Sequence, residues 1–414
     1  MTIIERNPNS VRWLLVASVL AALLSFGLSI MRGDALLHLD ERVYHGLAQT
    51  IVESHVYSLN GSEPSVYRPP GYAGLLAALY SVWPSVYAAK LLNAVCVGLI
   101  AWLAGLMAER VRPGSGWIAA VLLAGYPLLQ YTSTTLYPQT VSLLLLLASL
   151  WIAFGSVDKG RMVAAGMLFG AQILMVPSFM LLLPFFALAV TWSKWGTGTQ
   201  AESLRSRVTA VAIFCTMAAL VVAPWTLRNY VVFGEVVPVS ANGGVNLLAG
   251  NCEYAGANTG GQAVNPYRAA TQGMTEIERD RYFKAQAYRW IEENPAAAAK
   301  LYVLKFANYF NFKNEVVAAA ENPGRLGTLV LFVTQYAMMA LVLVRVWMAR
   351  SRPLDNLEKA IIFIYLLNGL ISAVFYTRLR YRLPFDGLLM VVAAVAAADL
   401  LARWRVAHVR SGRT

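Results

Sequence analysis

The sequence predicts an all-α polytopic membrane protein, and three observations carry that prediction. Hydrophobic residues make up 58% of the 414 and charged residues only 14%, a composition foreign to soluble domains. Apolar runs recur at close to the ~20 residues that a helix needs to cross the hydrocarbon layer. Basic residues gather in alternate connections between those runs, as the positive-inside rule requires.

Ten runs are expected to span, near 11–31, 86–108, 115–133, 136–155, 161–177, 178–194, 207–227, 326–349, 357–376 and 383–403. The two that meet at Pro177 are the hardest to separate. No small-residue cleavage site follows the first run, which therefore reads as a retained span rather than a signal peptide. With the N-terminus inside, six inner segments, from Arg6 and Arg12 to Arg410 and Arg413, hold seventeen basic residues and six acids. That is a net +11 of the chain's +12, so the basicity is topological and calls for no nucleic acid. Cys96 and Cys215 fall inside spans and Cys252 stands alone outside, which gives neither a disulfide framework nor a Cys–His nucleophile pair.

The chain divides into an N-terminal membrane module (1–227), an outer segment (228–325) and C-terminal membrane helices (326–414). A first outer loop, about 32–85, lies within the first module. In "LLHLDERVYHGLAQTIVESHVYSLN", Val43, Leu47 and Ile51, flanked by Tyr44, Ala48 and Val52, form one apolar stripe at helical spacing. This predicts an amphipathic helix on the outer membrane face. The apolar part of "YRPPGYAGLLAALYSVWP" is too short to span, and Pro69 and Pro70 suit a helix start, so a second interfacial helix is expected there.

The longer outer segment opens on Asn and Gly turns. Thr275 and Glu278 then have the spacing of a capping box, and Asn294 with Pro295 ends one helix and starts the next. Lys300, Lys305 and Lys313 lie there among Tyr302, Phe306, Tyr309, Phe310 and Phe312, a mixture suited to the headgroup layer.

Two features could carry chemistry. Asp40 sits where a helix N-cap belongs and Glu41 suits the first turn, but a carboxylate at the membrane surface can also act as a general base. Arg378, Arg380 and Arg382 occupy a short outer loop against the charge trend, while the outer loops near 131–138 and Pro177 hold no Lys or Arg. Their spacing lets two or more aim at one phosphate, with Arg68 and Lys90 as further candidates. His38 with Asp40 and Glu41, and His45 and His55 nearby, do not have the spacing of three or four converging metal ligands. The spans themselves are read as nearly free of ionisable groups, Lys90 and Asp399 lying near their ends, so the chemistry is expected at the interface rather than along a conduction path.

These pieces fall in a recognisable order: an acidic pair after the first span, "YRPPGYAGLLAALY", "PWTLRNYVVFGEVVPVSANGGVNLLAGN", "ERDRYFKAQAYRWIEENP" and a late "RYRLP". The set resembles membrane glycosyltransferases of the GT-C fold, in the family 39-like branch with protein O-mannosyltransferases and the lipid A aminoarabinose transferase. The resemblance implies a bundle of about ten transmembrane helices with outer-face interfacial helices and a small periplasmic segment. It implies an inner-membrane enzyme of bacteria with cytoplasmic termini. On the periplasmic face such an enzyme moves a sugar, with inversion, from a polyprenyl (undecaprenyl) monophosphate. The acceptor is a hydroxyl or phosphate of an envelope glycolipid, polysaccharide or protein.

Asp40 falls on the family's catalytic acid and Glu41 completes the pair. Arg68 falls on a basic residue associated with the lipid phosphate, to which Arg378, Arg380, Arg382 and Lys90 are added. Tyr67, Tyr72, Asn242, Asn246 and Tyr381 are assigned to substrate contacts. "LYPQT" at 136–140 replaces an acid that many relatives carry, so no metal ligand is assigned and a divalent cation is left open. The large C-terminal soluble domain of some relatives is not expected. A transporter gated by its outer loops and a non-catalytic partner of a polysaccharide assembly machine are the competing readings.

Overall fold

The computed structural model describes residues 8–192, 203–313 and 324–411; Glu5, Arg6, Lys194, Glu202 and Arg413 of the charge argument lie outside the described residues. Every regular element among the described residues is helical. In chain order these are α1 (Pro8–Arg32), α2 (Leu39–Ser54), α3 (Pro70–Tyr80), α4 (Val86–Val111), α5 (Gly116–Ala124) and α6 (Pro127–Ser133). There follow α7 (Gln139–Ala153), α8 (Lys159–Met175), α9 (Phe179–Trp192), α10 (Leu204–Phe233) and α11 (Gly243–Ala249). The last are α12 (Glu276–Glu293), α13 (Pro295–Tyr309), α14 (Gly324–Trp347), α15 (Asn356–Val374) and α16 (Leu379–Ser411).

Six of these, α1, α4, α10, α14, α15 and α16, are long and apolar enough to cross a bilayer. The remaining expected spans are shorter. Helices α7, α8 and α9 have 15, 17 and 14 residues. The run 115–133 is broken at Gly125–Pro127, because proline lacks the N–H that would continue the ladder and pushes the preceding residue out of helical geometry. Among the described residues, six helices rather than ten are by themselves long and apolar enough to cross.

Helix α16 runs through the middle of the bundle, with Leu383 and every residue from Phe385 to Ala396 buried. Helices α8 and α10 approach closely through Gly166 and Gly170; a Cβ at Gly170 would lie 2.7 Å from the Ala218 carbonyl oxygen. Small residues serve membrane helices in this way, since van der Waals packing must replace a hydrophobic drive in lipid.

The two short helices of the first outer loop differ from expectation. The stripe of α2 buries Tyr44, Leu47 and Ala48, as its period predicts. Helix α3, expected as an interfacial helix, packs one face against the bundle, with Tyr72, Ala73, Leu76, Ala77 and Tyr80 buried and Gly74 and Ala78 exposed. Its first turn meets α8 so closely that a Cβ at Gly71 would touch the Leu174 backbone at 2.8 Å. Which of its apolar residues face protein and which do not is something the sequence cannot distinguish. Farther on, the Thr275–Glu278 capping box forms as expected: the Glu278 N–H donates to Thr275 Oγ1 at 3.3 Å and the Thr275 N–H to Glu278 Oε2 at 2.8 Å. Asn294 caps α12, and Pro295 opens α13.

Candidate active site

A cavity of about 2240 Å³ opens between the membrane helices and the outer segment. Part of its lining is mostly apolar: Met175–Leu181, at the break between α8 and α9, with Leu326, Val330 and Leu331 of α14 and Ile371 and Val374 of α15. The lining also has a polar and basic part, contributed by Asp40, Arg68, Arg378, Arg380, Arg268 and Lys284 together with Tyr44, Tyr67, Tyr137 and Tyr381. Asn242 and Asn246, at the start of α11, also line it.

Asp40 lies in the first turn of α2 and is held between two arginines. Arg68 donates from Nη2 to one carboxylate oxygen, and Arg380 donates from Nη1 to the other at 2.5 Å. Each arginine is placed by local chain constraints. Arg68 precedes Pro69, which keeps it extended, and the Tyr57 hydroxyl donates to the carbonyls of Arg68 and Pro69 at 3.0 and 3.1 Å. Arg380 lies in the first turn of α16, just after the connection from α15, whose carbonyls and hydroxyls are fixed from the outer segment. Lys305 Nζ donates to the Phe375 carbonyl at 2.8 Å, Asn251 Nδ2 to the Val374 carbonyl at 2.8 Å and Asn308 Nδ2 to Thr377 Oγ1 at 2.8 Å. Aromatic rings flank both guanidinium groups, Tyr67 5.2 Å from Arg68, and Tyr381 and Tyr137 5.1 and 5.5 Å from Arg380.

Burial pushes the Asp40 carboxyl upward, but the charges of Arg380 and Arg68 and their hydrogen bonds outweigh it. The net shift is below the usual aspartate value, so Asp40 is a carboxylate at neutral pH. Burial also raises the hydroxyl of neighbouring Tyr44 to about 12, which keeps it neutral.

Several expected site residues are placed elsewhere. Asp40 is not the N-cap; His38 is, and Glu41 rather than Asp40 does the capping, accepting the His38 N–H at 3.0 Å. The other Glu41 oxygen accepts the Leu136 N–H at 3.1 Å, and the side chain is fully buried away from the cavity. The acidic pair thus divides between two jobs. Arg382, expected on the phosphate, is buried in the bundle, pairing with Asp386 at 2.9 Å and donating to the Asn311 carbonyl at 2.7 Å and to that of Tyr309. Lys90 is buried and donates to the Gly33 carbonyl, tying α4 to the α1–α2 connection. Tyr72 packs edge-on against Tyr44 in the core, 5.3 Å between centroids, and does not line the cavity.

The view that only Lys90 and Asp399 are ionisable in the spans overlooked Asp386. It is fully buried in α16 and, besides Arg382, accepts from Tyr126 at 2.8 Å and Tyr365 at 3.3 Å. Cavity groups without a sequence signal include Arg268, Lys284, Tyr131 and Tyr137; the last two sit in apolar surroundings that read as span. His38 contacts Tyr131 at 2.8 Å and His45 contacts Tyr80 at 2.9 Å, while His55 ends α2 in a left-handed turn. Among the described residues no three His, Cys, Asp or Glu side chains converge.

No family model matches the sequence, and no curated protein matches it. Solved structures do. The Archaeoglobus fulgidus oligosaccharyltransferase tethered to an acceptor peptide is similar over 95% of this chain and 50% of its own, with TM-score 0.56 and 14% identity. The archaeal oligosaccharyltransferase AglB of the same organism, in complex with an inhibitory peptide and a dolichol-phosphate, matches over 97% and 52%, with TM-score 0.55 and 13% identity. Both are glycosyltransferases of the GT-C fold. The chain has the GT-C fold. It spans about half the length of the archaeal enzyme. ArnT from Cupriavidus metallidurans bound to undecaprenyl phosphate, also of the GT-C fold, matches over 92% and 76% at TM-score 0.45 and 15% identity, too low to bear on the comparison. Within the GT-C frame, the first outer loop, the α11 region and the start of α16 meet around the cavity.

Proposed function

We propose that this GT-C chain is an inverting glycosyltransferase that takes a sugar from a polyprenyl monophosphate and delivers it to an acceptor of the cell envelope. The observation that carries the reading is an ionised Asp40 held between Arg68 and Arg380 in a cavity that apolar side chains also line. A lipid-linked phosphate needs both, apolar lining for the tail and fixed cations for the head. The archaeal enzyme of the same fold is seen with a dolichol-phosphate, which supports a lipid phosphate as ligand here.

In this mechanism Asp40 takes the proton of the acceptor hydroxyl as that oxygen bonds to the anomeric carbon. The bond from that carbon to the phosphate oxygen breaks, and its electron pair leaves with the polyprenyl monophosphate. One base suffices for a single displacement, where a glycosidase needs two carboxylates. General-base assistance contributes roughly 10²–10⁴-fold. Arg68, Arg380 and Arg378 stabilise the charge that grows on the leaving phosphate. Tyr67, Tyr381, Asn242 and Asn246 line the space left for sugar and acceptor. Zinc accompanies sulfate in one structure of the archaeal enzyme. Among the described residues of this chain no three His, Cys, Asp or Glu side chains converge, and both Asp40 oxygens are held by arginines, so no step is routed through a metal.

The cavity is placed on the periplasmic face of a bacterial inner membrane, with both termini cytoplasmic, on the charge distribution of the sequence. The test is mass spectrometry of envelope glycolipids and polysaccharides from cells carrying the wild-type gene or its Asp40→Asn variant. A glycan present with the first and missing with the second supports the enzyme. Identical envelopes would favour a transporter or a non-catalytic partner.

A further inference from the structure

Resting on the glycosyltransferase reading, we propose that Arg68 and Arg380 are shared ligands, paired with Asp40 before transfer and surrendered to the lipid phosphate during it. Ionisation of the base and full binding of the product phosphate then exclude one another. Each Asp40 oxygen takes one guanidinium, so the carboxylate occupies the cationic pair that a phosphate in this cavity would seek. Arg68 has a spare donor: its Nε is buried and finds no hydrogen-bond acceptor. A buried donor of this kind is costly to leave unmade, and an incoming phosphate oxygen can satisfy it.

Charge conservation gives the arrangement its use. The sugar-linked donor is a phosphodiester with one negative charge, and Asp40 carries another. As Asp40 takes the acceptor's proton it becomes neutral, while the departing monophosphate gains the charge that the carboxylate lost. Two negative charges thus face two guanidinium groups before and after the step, and only their location changes. Sites of this kind need little reorganisation, because the stabilising dipoles are already in place.

The same sharing protects the ground state. Pinned by two arginines, Asp40 is a weak base until the phosphate draws a guanidinium away; losing one such partner is worth about 1–3 pKa units. The groups that bear on Asp40 are these two arginines together with Tyr44 of its own helix and Tyr381 of α16. Neither tyrosine supplies a competing positive charge, so the arginines decide its proton affinity.

The experiment uses the full-length protein in detergent with undecaprenyl phosphate, the class of product the reaction releases. Calorimetry near pH 5.5 in buffers of different ionisation enthalpy reads the protons exchanged on binding. The Asp40→Asn variant keeps any proton exchange by the lipid phosphate itself and removes the carboxylate, so the difference between the proteins isolates Asp40. The wild type is expected to take up more protons per lipid than the variant. At pH 7 Asp40→Asn is expected to bind the lipid phosphate about tenfold more tightly, although it transfers no sugar.

Equal proton exchange with equal or weaker binding by the variant would overturn the shared-ligand account while leaving the enzyme reading in place. If neither protein binds the lipid phosphate, the enzyme reading fails and takes this inference with it. Should Asp40→Asn melt early, Asp40→Ser supplies the same two readings. Arg68→Lys is the complementary variant: it is expected to weaken lipid binding, since it lacks the second donor that the buried Nε provides.

Discussion

Asp40 and Glu41 are neighbours in sequence, but a helix turns about 100° between them, so adjacent side chains serve different surroundings. Asp40 turns to the cavity and the arginines; Glu41 turns inward and joins the start of α2 to the backbone at Leu136. The same geometry separates Arg380 from Arg382. Two residues apart on a helix, they point to nearly opposite sides, one to Asp40 and one to Asp386. A residue-scale prediction follows for Glu41→Gln. One backbone N–H would face an amide NH₂, so stability is expected to drop by about 1–3 kcal/mol. Activity per folded molecule is expected to change by less than about tenfold, since assistance by a base is worth more than that. A stable Glu41→Gln protein with a larger loss would return Glu41 to the chemistry. For Asp40, whose folded pKa is depressed, the ion pairs add stability above the ordinary carboxylate range. That stability is lost as pH falls through the folded value.

At the scale of elements, the arginine-bearing turn between α15 and α16 is held by residues of the 228–325 segment. Lys305 of α13 is fully buried and donates to the carbonyls of both Gly250 and Phe375, at 2.8 Å each. Gly260 lies against the Arg378 guanidinium so closely that an added Cβ would collide with it. Gly260→Ala is therefore expected to displace Arg378 and raise the apparent KM for the lipid donor by about threefold to tenfold, with the melting temperature nearly unchanged. A normal KM would show that Arg378 does not touch the donor.

This scale also shows what the sequence could convey. The capping box at Thr275, the Asn294–Pro295 junction and the stripe of α2 are local patterns, and they were legible. Arginines set against the positive-inside trend and an acidic pair after the first span likewise stand out within a few residues. The burial of α3, the capping role of His38 and the partners of Arg382 and Lys90 depend on which helix lies alongside. Arg382 meets Tyr309 and Asn311, about seventy residues earlier in the chain, and no local pattern encodes that.

For the whole molecule, the proposed topology rests on the charge split of the sequence. Cys252 is buried, its Sγ 3.7 Å from the Ala263 carbonyl oxygen, so labelling of the native cysteine is a poor probe of sidedness. A cysteine placed at exposed Glu292 in the outer segment is expected to react with an impermeant maleimide in intact spheroplasts, and one at exposed Lys159 only after lysis. The reverse pattern would invert the protein and move the cavity to the cytoplasmic face.

The central claim is that Asp40 is the base in a transfer that releases a polyprenyl monophosphate. It is tested most directly by purified wild-type and Asp40→Asn proteins given the polyprenyl-phosphate sugars and envelope acceptors of producing cells, with the released polyprenyl phosphate measured. A melting curve accompanies each protein. The account predicts release by the wild type and at least about a hundredfold less by a variant that melts at a similar temperature. Near-normal release by a stably folded Asp40→Asn protein would contradict it.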